Sequence, residues 1–268
     1  MEQTEDVLDD NIDFYEDFPF ESIEVDTPAK LNMMIYGIPG SGKTVLASTA
    51  TLCKEMSPVL YIDVEGGALS MRDFYNKKNI KIVRPVVFDV DMERYYSYLV
   101  SKKNVFRTVV IDTTTEAQKL SMLTIMNRLY ESRPDKVGSQ PSLQEWGKNS
   151  DAVRKFVRYY KNIPNVNTIF IAHAQEVKDE QSGAIVTKPS FSGKLPEELC
   201  GFVDIVGRLV ETTKRGENDN EVKYSNAILF KSTNGGYISK DRSNRLPYVM
   251  HNPTMGQIYE LAITRKGE

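Results

Sequence analysis

Nine consecutive residues, Tyr36 to Thr44, have the types and the spacing that phosphate binding requires. They read Tyr-Gly-Ile-Pro-Gly-Ser-Gly-Lys-Thr, with an apolar run before them and an apolar helical pattern after them. Glycines let the backbone bend tightly, so that successive N–H groups point at phosphate oxygens, and the N-terminus of a following helix adds unpaired N–H groups. A glycine turn formed by chance is the alternative, but the flanking strand and helix favour a loop that binds a nucleoside triphosphate.

The residues of this loop have separate expected roles. Lys43 would reach the β- and γ-phosphates, and the Thr44 hydroxyl would hold Mg²⁺. ATP and Mg²⁺ are therefore the expected ligands. The predicted nucleotide-binding residues are Gly37, Pro39, Gly40, Ser41, Gly42, Lys43, Thr44 and Val45.

Hydrolysis would also need a second metal partner and a carboxylate that activates water. Asp112 ends the apolar run 106–112, which reads as a buried parallel strand, so we assign it to Mg²⁺, with a helix cap as the alternative. Glu65 follows the strand after the loop's helix, and open α/β sheets bind ligands beyond the carboxyl ends of their strands. It is the predicted general base, with a turn carboxylate beside Gly66 and Gly67 as the alternative.

Three further residues are candidates for catalytic roles. His173 ends another apolar run and could sense the γ-phosphate, although a lone histidine at a strand end is more often structural. Lys240 and Arg242 lie two residues apart at a predicted strand end, so their side chains would leave the same face. Delivered across a subunit interface, such cations stabilise the charge that develops during phosphoryl transfer. An ordinary basic turn is the alternative.

Composition restricts the class of protein. The chain has 268 residues, of which 40% are hydrophobic, enough for a sizeable core. Two cysteines in unrelated segments and two histidines argue against a zinc site. Free thiols, and an N-terminus without a basic, apolar leader, predict a cytoplasmic protein. No apolar run is long enough to span a bilayer, so no membrane partner is expected.

Charge is distributed unevenly along the chain. Every charged residue from Met1 to Asp26 is acidic, and removing these 11 acids from the 37 leaves 26 against 34 lysines and arginines. An acidic arm over residues 1–27 and a basic body suggest a polyanionic partner with which the arm competes for the body, or an arm that only aids solubility. Four aromatic residues in the arm favour docking onto this chain, a second subunit or another protein: Phe14, Tyr15, Phe18 and Phe20.

The rest of the chain, residues 28–268, reads as one α/β domain. Apolar runs and helical spacing predict strands over 31–36, 59–62, 80–83, 106–112 and 167–173, helices over 92–102, 116–130 and 149–162, loops over 131–147 and 175–193, and C-terminal strands over 204–211, 222–231 and 236–240. This alternation indicates a mostly parallel, doubly wound sheet with a β-rich C-terminal part.

The order of these motifs resembles the RecA-like P-loop ATPase core, in which a water-activating glutamate follows the strand directly after the P-loop helix. Here that segment is Tyr61-Ile62-Asp63-Val64-Glu65, with Asp112 closing the magnesium strand and His173 in the sensor position. The sequence Lys240-Asp241-Arg242 is similar to the trans-acting Lys-x-Arg pair of hexameric helicases. Within this group the chain most resembles phage-encoded RecA-like single-strand annealing proteins, through the stretches 140–147, 172–175, 178–180, 189 and 193–194.

The resemblance implies a DNA-stimulated ATPase that binds single-stranded DNA and promotes annealing or strand pairing in phage recombination, in the cytoplasm of a bacterial host. It also implies a homo-oligomer with ATP at subunit interfaces, completed by Lys240 and Arg242 of a neighbour. Two loops, 131–148 and 175–194, would bind the DNA, with aromatic rings stacking on bases and cations on phosphates. The residues assigned to these contacts are Arg133, Lys136, Trp146, Lys148, Lys178, Lys188, Phe191 and Lys194. Solvated loops, with Trp146 packed into the body, are the alternative.

Two other functions fit the same sequence. One is a nucleotide-switched, non-catalytic interaction module that recruits a replication or single-strand-binding protein through Asp-Phe-Pro-Phe at 17–20. The other is a helicase-like motor, against which the short core argues. A measurement of ATP hydrolysis separates the non-catalytic module from the annealing ATPase and the motor, because only an enzyme turns ATP over.

Overall fold

The structure is a computed structural model that describes residues 30–178, 183–215, 222–232 and 235–264. The acidic arm predicted over residues 1–27 lies outside these ranges. The strands are β1 Asn32–Gly37, β2 Val59–Asp63, β3 Ile80–Val83, β4 Thr108–Asp112, β5 Asn167–Lys178, β6 Ile185–Pro189, β7 Ile205–Arg215, β8 Val222–Leu229, β9 Lys240–Asp241 and β10 Val249–His251. The α-helices are α1 Lys43–Ser48, α2 Phe88–Leu99, α3 Thr114–Ser132, α4 Leu143–Lys161, α5 Leu195–Phe202 and α6 Met255–Ile263.

The strands form one mixed sheet around a parallel centre. Its order is β10-β8-β7-β1-β5-β4-β2-β3, and the six strands from β7 to β3 are parallel. Antiparallel pairs add β8 and β10 beyond β7, β9 on β7 and β6 on β5. The parallel strands define a carboxyl edge, where β1 ends at Gly37 and β4 at Asp112, and an amino edge, where β1 begins at Asn32. The predicted α/β fold with a β-rich C-terminal part is confirmed.

Helices cover both faces of the parallel strands. Because successive side chains of a strand alternate between faces, β1 buries Met34 and Tyr36 against the core that includes α2 to α5. Its other hydrophobic residues, Met33 and Ile35, pack in the second core with α1 and α6. Burial on both sides explains why these strands read as continuous apolar runs rather than alternating ones.

Two segments predicted to be loops contain regular structure. Helix α4 begins at Leu143, six residues before the predicted start, because Ser142 and Glu145 form a capping box that starts the helix there. The predicted loop 175–193 is also wrong in part, because β5 continues to Lys178 and pairs with β6 as an antiparallel hairpin.

The C-terminal prediction needs two corrections. Within the predicted strand 236–240 only Lys240 belongs to a strand, β9, and Tyr237 makes an isolated bridge to Thr187. Helices α5 and α6 were not predicted; α6 starts at a capping box formed by Thr254 and Gln257. Among the described residues, none of the helices combines the length and the apolar character needed to cross a membrane.

Candidate active site

Four parallel strands bring Lys43, Glu65 and His173, three of the five predicted catalytic residues, together with Asp112 at the carboxyl edge. Strand β5 lies between β1 and β4, and its register pairs His173 with Gly37 of β1. On the other side, β2 and β4 pair Asp63 with Asp112 at their last residues. The glycine loop, Asp112 and the Glu65 turn therefore begin from neighbouring strand ends. His173 lies at the same edge, although β5 continues beyond it to Lys178.

The glycine loop adopts backbone geometry that only glycine tolerates well. Gly40 and Gly42 have φ angles of +85° and +87°, in the region that side chains with a Cβ disfavour. A Cβ on Gly37 would lie 2.4 Å from the carbonyl oxygen of Leu209, and one on Gly42 would lie 2.4 Å from Nδ2 of Asn226. Close packing by β7 and β8 thus fixes the shape of the loop from behind.

Lys43 is the buried cation of the loop, with only 6% of its surface exposed. Its ammonium donates to the carbonyl oxygens of Gly37 at 3.0 Å and Ile38 at 2.8 Å. Burial lowers the pKa of Lys43, while the nearby carboxylates of Asp112 and Glu65 oppose that shift. The lysine is therefore held at the mouth of the loop and attracted by the carboxylates that surround it.

Asp112 is a buried carboxylate that accepts two hydroxyl hydrogen bonds on one oxygen. Its Oδ2 accepts from Oγ1 of Thr44 at 2.6 Å and from the hydroxyl of Tyr61 at 2.5 Å. Burial raises the pKa of Asp112, and these two hydrogen bonds counteract the rise because they stabilise the charged form. The structure thus joins the two residues predicted to hold Mg²⁺.

Glu65 contacts the sensor candidate directly. Its Oε2 lies 3.3 Å from Nε2 of His173, and the Glu65 side chain is 41% exposed, so solvent reaches it. The amides of Val64 and Glu65 donate to the carbonyl oxygen of Asp112 at 2.7 and 3.1 Å, which ties the turn to β4. The His173 amide donates to Oγ1 of Thr115 at 3.0 Å.

The side chains present fit a magnesium–nucleotide complex. The hydroxyl of Ser41 is buried without a hydrogen-bond partner in the described part of the chain, and it lies inside the glycine loop. The loop has the left-handed glycines that turn N–H groups inward. A threonine hydroxyl beside an aspartate carboxylate is an oxygen donor set suited to Mg²⁺.

Sequence reasoning missed three residues that support this site. Tyr61 holds Asp112, Asp63 holds the Glu65 turn, and Thr115 holds the backbone of His173. Asp63 could have been found, because a carboxylate directly before Val64-Glu65-Gly66-Gly67 is typical of a side chain that closes a turn. The apolar run around Tyr61 gives no signal that separates it from an ordinary core residue.

Lys240 and Arg242 do not join this cluster within one chain. They lie at the amino edge, where Lys240 of β9 pairs with Val206 near the start of β7. The Lys240 ammonium donates to the carbonyl oxygens of Cys200, Gly201 and Val203 at 3.2, 2.9 and 2.7 Å, at the end of α5.

Arg242 reaches the same helix end, as expected for side chains on one face. It bonds Asp204 at 2.8 Å and the carbonyl oxygen of Gly201 at 3.3 Å. Both cations thus have local partners, and a role in a neighbouring subunit's site stays a prediction.

The eight residues predicted to bind DNA differ in their exposure and in their contacts. Five are exposed cations, and they are Arg133, Lys136, Lys148, Lys178 and Lys194. Lys188 pairs with Glu197 at 2.7 Å and its side chain is only 16% exposed, so its charge is already neutralised.

Phe191 is 5% exposed within the core, which makes the prediction that its ring stacks on a base wrong. Trp146 is 39% exposed, but it lies in α4 rather than in a loop.

Comparison with protein families agrees with this geometry. A family model described as an AAA domain matches residues 29–243, which is most of the chain. The chain belongs to this AAA-domain family. Membership makes it a P-loop ATPase-type domain, the class that binds nucleotides and usually Mg²⁺, and the matched range includes every carboxyl-edge residue described above. The search of curated proteins found no match to this sequence.

Proposed function

We propose that this AAA-domain protein binds and hydrolyses ATP with Mg²⁺, binds single-stranded DNA, and promotes annealing or strand pairing of DNA, as phage recombination requires. The observation that carries the proposal is the contact between Glu65 and His173. This contact connects the Glu65 carboxylate, which is placed to activate water, with strand β5. The same strand continues from His173 into the hairpin with β6. A change at the nucleotide can therefore reach that hairpin through a single strand.

The carboxyl-edge residues divide the work of hydrolysis. The loop amides and Lys43 bind and orient the phosphates, and Thr44 and Asp112 are the residues that would hold the metal. Bound Mg²⁺ would neutralise charge on the β- and γ-phosphate oxygens. Glu65 accepts a proton from the attacking water, because it is an exposed carboxylate next to the loop. His173 orients Glu65 through its Nε2.

The hairpin and the start of α4 would supply the DNA-binding surface. Trp146 lines a groove of about 440 Å³ together with Gln175 and Ser190 of the hairpin region. The amide of Ser190 donates to the carbonyl oxygen of His173 at 2.8 Å, so the groove adjoins the sensor position. An exposed indole offers a sequence-independent stacking face for a base, and Lys148 and Lys178 are exposed nearby in sequence.

The proposal includes a homo-oligomer with ATP at subunit interfaces and a host-cell cytoplasmic location. The half-exposed guanidinium of Arg242 is accessible to a neighbouring subunit. The acidic arm, residues 1–27, would compete with DNA for the basic body or recruit a single-strand-binding protein. Deleting Met1 to Asp26 should then strengthen binding of single-stranded DNA, and unchanged affinity would remove the competitor role.

Hydrolysis by the purified protein tests the enzymatic part. ATP turnover is measured with and without single-stranded DNA, at low and moderate salt. We expect DNA to increase turnover, and the increase to weaken as salt screens the phosphate contacts. ATP binding without turnover, with or without DNA, would instead favour a nucleotide-switched module that acts by recruiting partners.

A pair of aromatic variants tests the DNA surface. Trp146→Ala should weaken DNA binding by about 1–3 kcal/mol, the usual contribution of one stacked base. Tyr159→Ala is the matched control, because Tyr159 is also a half-exposed aromatic residue of α4 but lines the side facing α2. Equal effects of the two substitutions would show that the groove beside Trp146 is not the binding surface.

A further inference from the structure

A second carboxylate holds the turn that carries Glu65. Asp63, the last residue of β2, is 1% exposed, and its Oδ1 accepts the amides of Gly66 at 2.8 Å and Gly67 at 3.0 Å. Its Oδ2 accepts from Nη2 of Arg84 at 2.9 Å. Both oxygens of Asp63 are therefore used inside the protein, whereas its register partner Asp112 faces Thr44.

The other side of the same turn is fixed by β4. The amides of Val64 and Glu65 donate to the carbonyl oxygen of Asp112, so hydrogen bonds determine the backbone before and after the Glu65 side chain. Gly66 has a φ of +88°, and a Cβ there would lie 3.4 Å from Nη2 of Arg84. The guanidinium thus lies over the turn at van der Waals distance, and the left-handed φ of Gly66 is what favours glycine there.

Arg84 is what keeps the Asp63 carboxylate in place. A buried carboxylate that loses its cation is strongly destabilised, and it then turns toward solvent. That movement weakens its hold on the amides of Gly66 and Gly67. The position of the neighbouring Glu65 carboxylate would shift, and misplacing a catalytic group by about 1 Å is enough to cost about a hundredfold in rate.

We propose that Arg84, acting through Asp63, is a positioning residue for ATP hydrolysis: the pair sets where the Glu65 carboxylate stands relative to His173 and Asp112. The inference rests on the proposed role of Glu65 as general base. It assigns a function to an arginine whose side chain is 63% exposed, and to a buried carboxylate that the sequence alone did not single out.

Substitutions of Arg84 test this inference without removing a buried side chain, because Arg84 is mostly exposed. For Arg84→Ala we expect kcat to fall by about tenfold to a hundredfold, while the Kd for ATP stays within about twofold. Arg84→Lys should recover part of the loss, because it keeps a cationic donor. The matched control is Arg128→Ala, because Arg128 is similarly exposed and also pairs with an aspartate, the half-exposed Asp89, and its loss should leave kcat unchanged.

A double variant shows whether Arg84 acts through Glu65. In single turnovers with excess enzyme, adding Arg84→Ala to Glu65→Gln should change the residual rate by less than about twofold, since residues that act as a unit are not additive. Normal turnover by Arg84→Ala would overturn the inference, and so would a full additional loss in the double variant. Normal hydrolysis by Glu65→Gln alone would instead overturn the proposed catalytic role of Glu65.

Discussion

The two edges of the parallel sheet contain the same residue types in different roles. Each has a lysine that donates to main-chain carbonyls, Lys43 at the carboxyl edge and Lys240 at the amino edge. Burial lowers the pKa of both lysines. The lysine alone therefore does not distinguish a binding site from a structural contact.

Their surroundings make the difference. Near Lys43 the Ser41 hydroxyl is buried without a partner within the described residues, and the Glu65 carboxylate remains exposed to solvent beside His173. Around Lys240 the charges are matched, because Lys240 caps the end of α5 and Arg242 pairs with Asp204. The Oδ1 of Asn32 at the amino edge is also buried without a partner within the described residues, so an unpartnered atom alone does not mark a binding site. The exposed Glu65 carboxylate beside the glycine loop indicates ligand binding at the carboxyl edge, and the matched charges around Lys240 indicate a structural role at the amino edge.

The largest expected difference is between aspartates at the two edges. Asp112→Asn should keep its hydrogen bonds from Thr44 and Tyr61 but lose the charge proposed to face Mg²⁺. Metal contacts supply several kcal/mol of charge stabilisation, so Mg²⁺-dependent turnover should fall by about a hundredfold to a thousandfold. Asp204→Asn, at the amino edge, should change turnover by less than about twofold, because it weakens a surface ion pair with Arg242 and a hydrogen bond from Asn32, both away from the glycine loop. Similar losses in both variants would break the comparison.

Glycine substitutions compare the packing behind the loop with an open position. Gly37→Ala places a methyl group 2.4 Å from the Leu209 carbonyl oxygen and should lower the free energy of unfolding by about 2–3 kcal/mol. Gly147→Ala in α4 meets nothing within 4 Å and should raise it by about 0.5–1 kcal/mol. Chemical denaturation measures both, and destabilisation by Gly147→Ala would contradict the packing described here.

Lys240→Met tests whether the amino-edge lysine is structural. Losing its hydrogen bonds to three carbonyls should lower the free energy of unfolding by about 1–3 kcal/mol, with turnover per folded molecule unchanged. If a folded Lys240→Met protein instead loses turnover, and mixing it with Lys43→Ala restores activity, then Lys240 completes the site of a neighbouring subunit.

The smallest predicted effect belongs to two buried tyrosines. Tyr61→Phe removes one hydrogen bond to Asp112 and should weaken Mg²⁺-dependent ATP binding by about 1 kcal/mol. Tyr36→Phe is the control, because its hydroxyl is also buried but donates to the carbonyl oxygen of Ile238 at 2.6 Å, away from Asp112. Titrations of ATP with and without Mg²⁺ separate the two, and equal effects would remove Tyr61 from the metal site.

The sequence predicts the carboxyl edge well, because its functional side chains lie at or directly after apolar runs that can be recognised as strands. Apolar runs placed Asp112 and His173 at the ends of buried strands. Asp112 does end β4, but β5 continues past His173 to Lys178, so the predicted strand end at His173 is wrong although its pairing with Gly37 keeps it at the carboxyl edge. The hairpin after His173 was missed, because β5 leaves the core there and its exposed half, up to Lys178, reads as polar. The early start of α4 had a readable signal, the Ser142 and Glu145 capping box.

Side-chain partners at the amino edge could not be predicted. Nothing in the local sequence around Lys240 shows that α5 ends beside it, since that contact depends on how β9 pairs with β7. Phe191 was misassigned for a related reason, because burial inside a loop is decided by tertiary packing. The sequence shows which charged and aromatic side chains are present, but it does not show which residues each of them contacts.

Glu65→Gln tests the central claim most directly, that the carboxyl edge is an ATP-hydrolysing site with Glu65 as its base. We would measure ATP affinity and turnover of this variant together with its thermal stability. We expect a loss of turnover of about a hundredfold or more, with unchanged ATP binding and an intact fold. Wild-type turnover by a folded Glu65→Gln protein would contradict the claim.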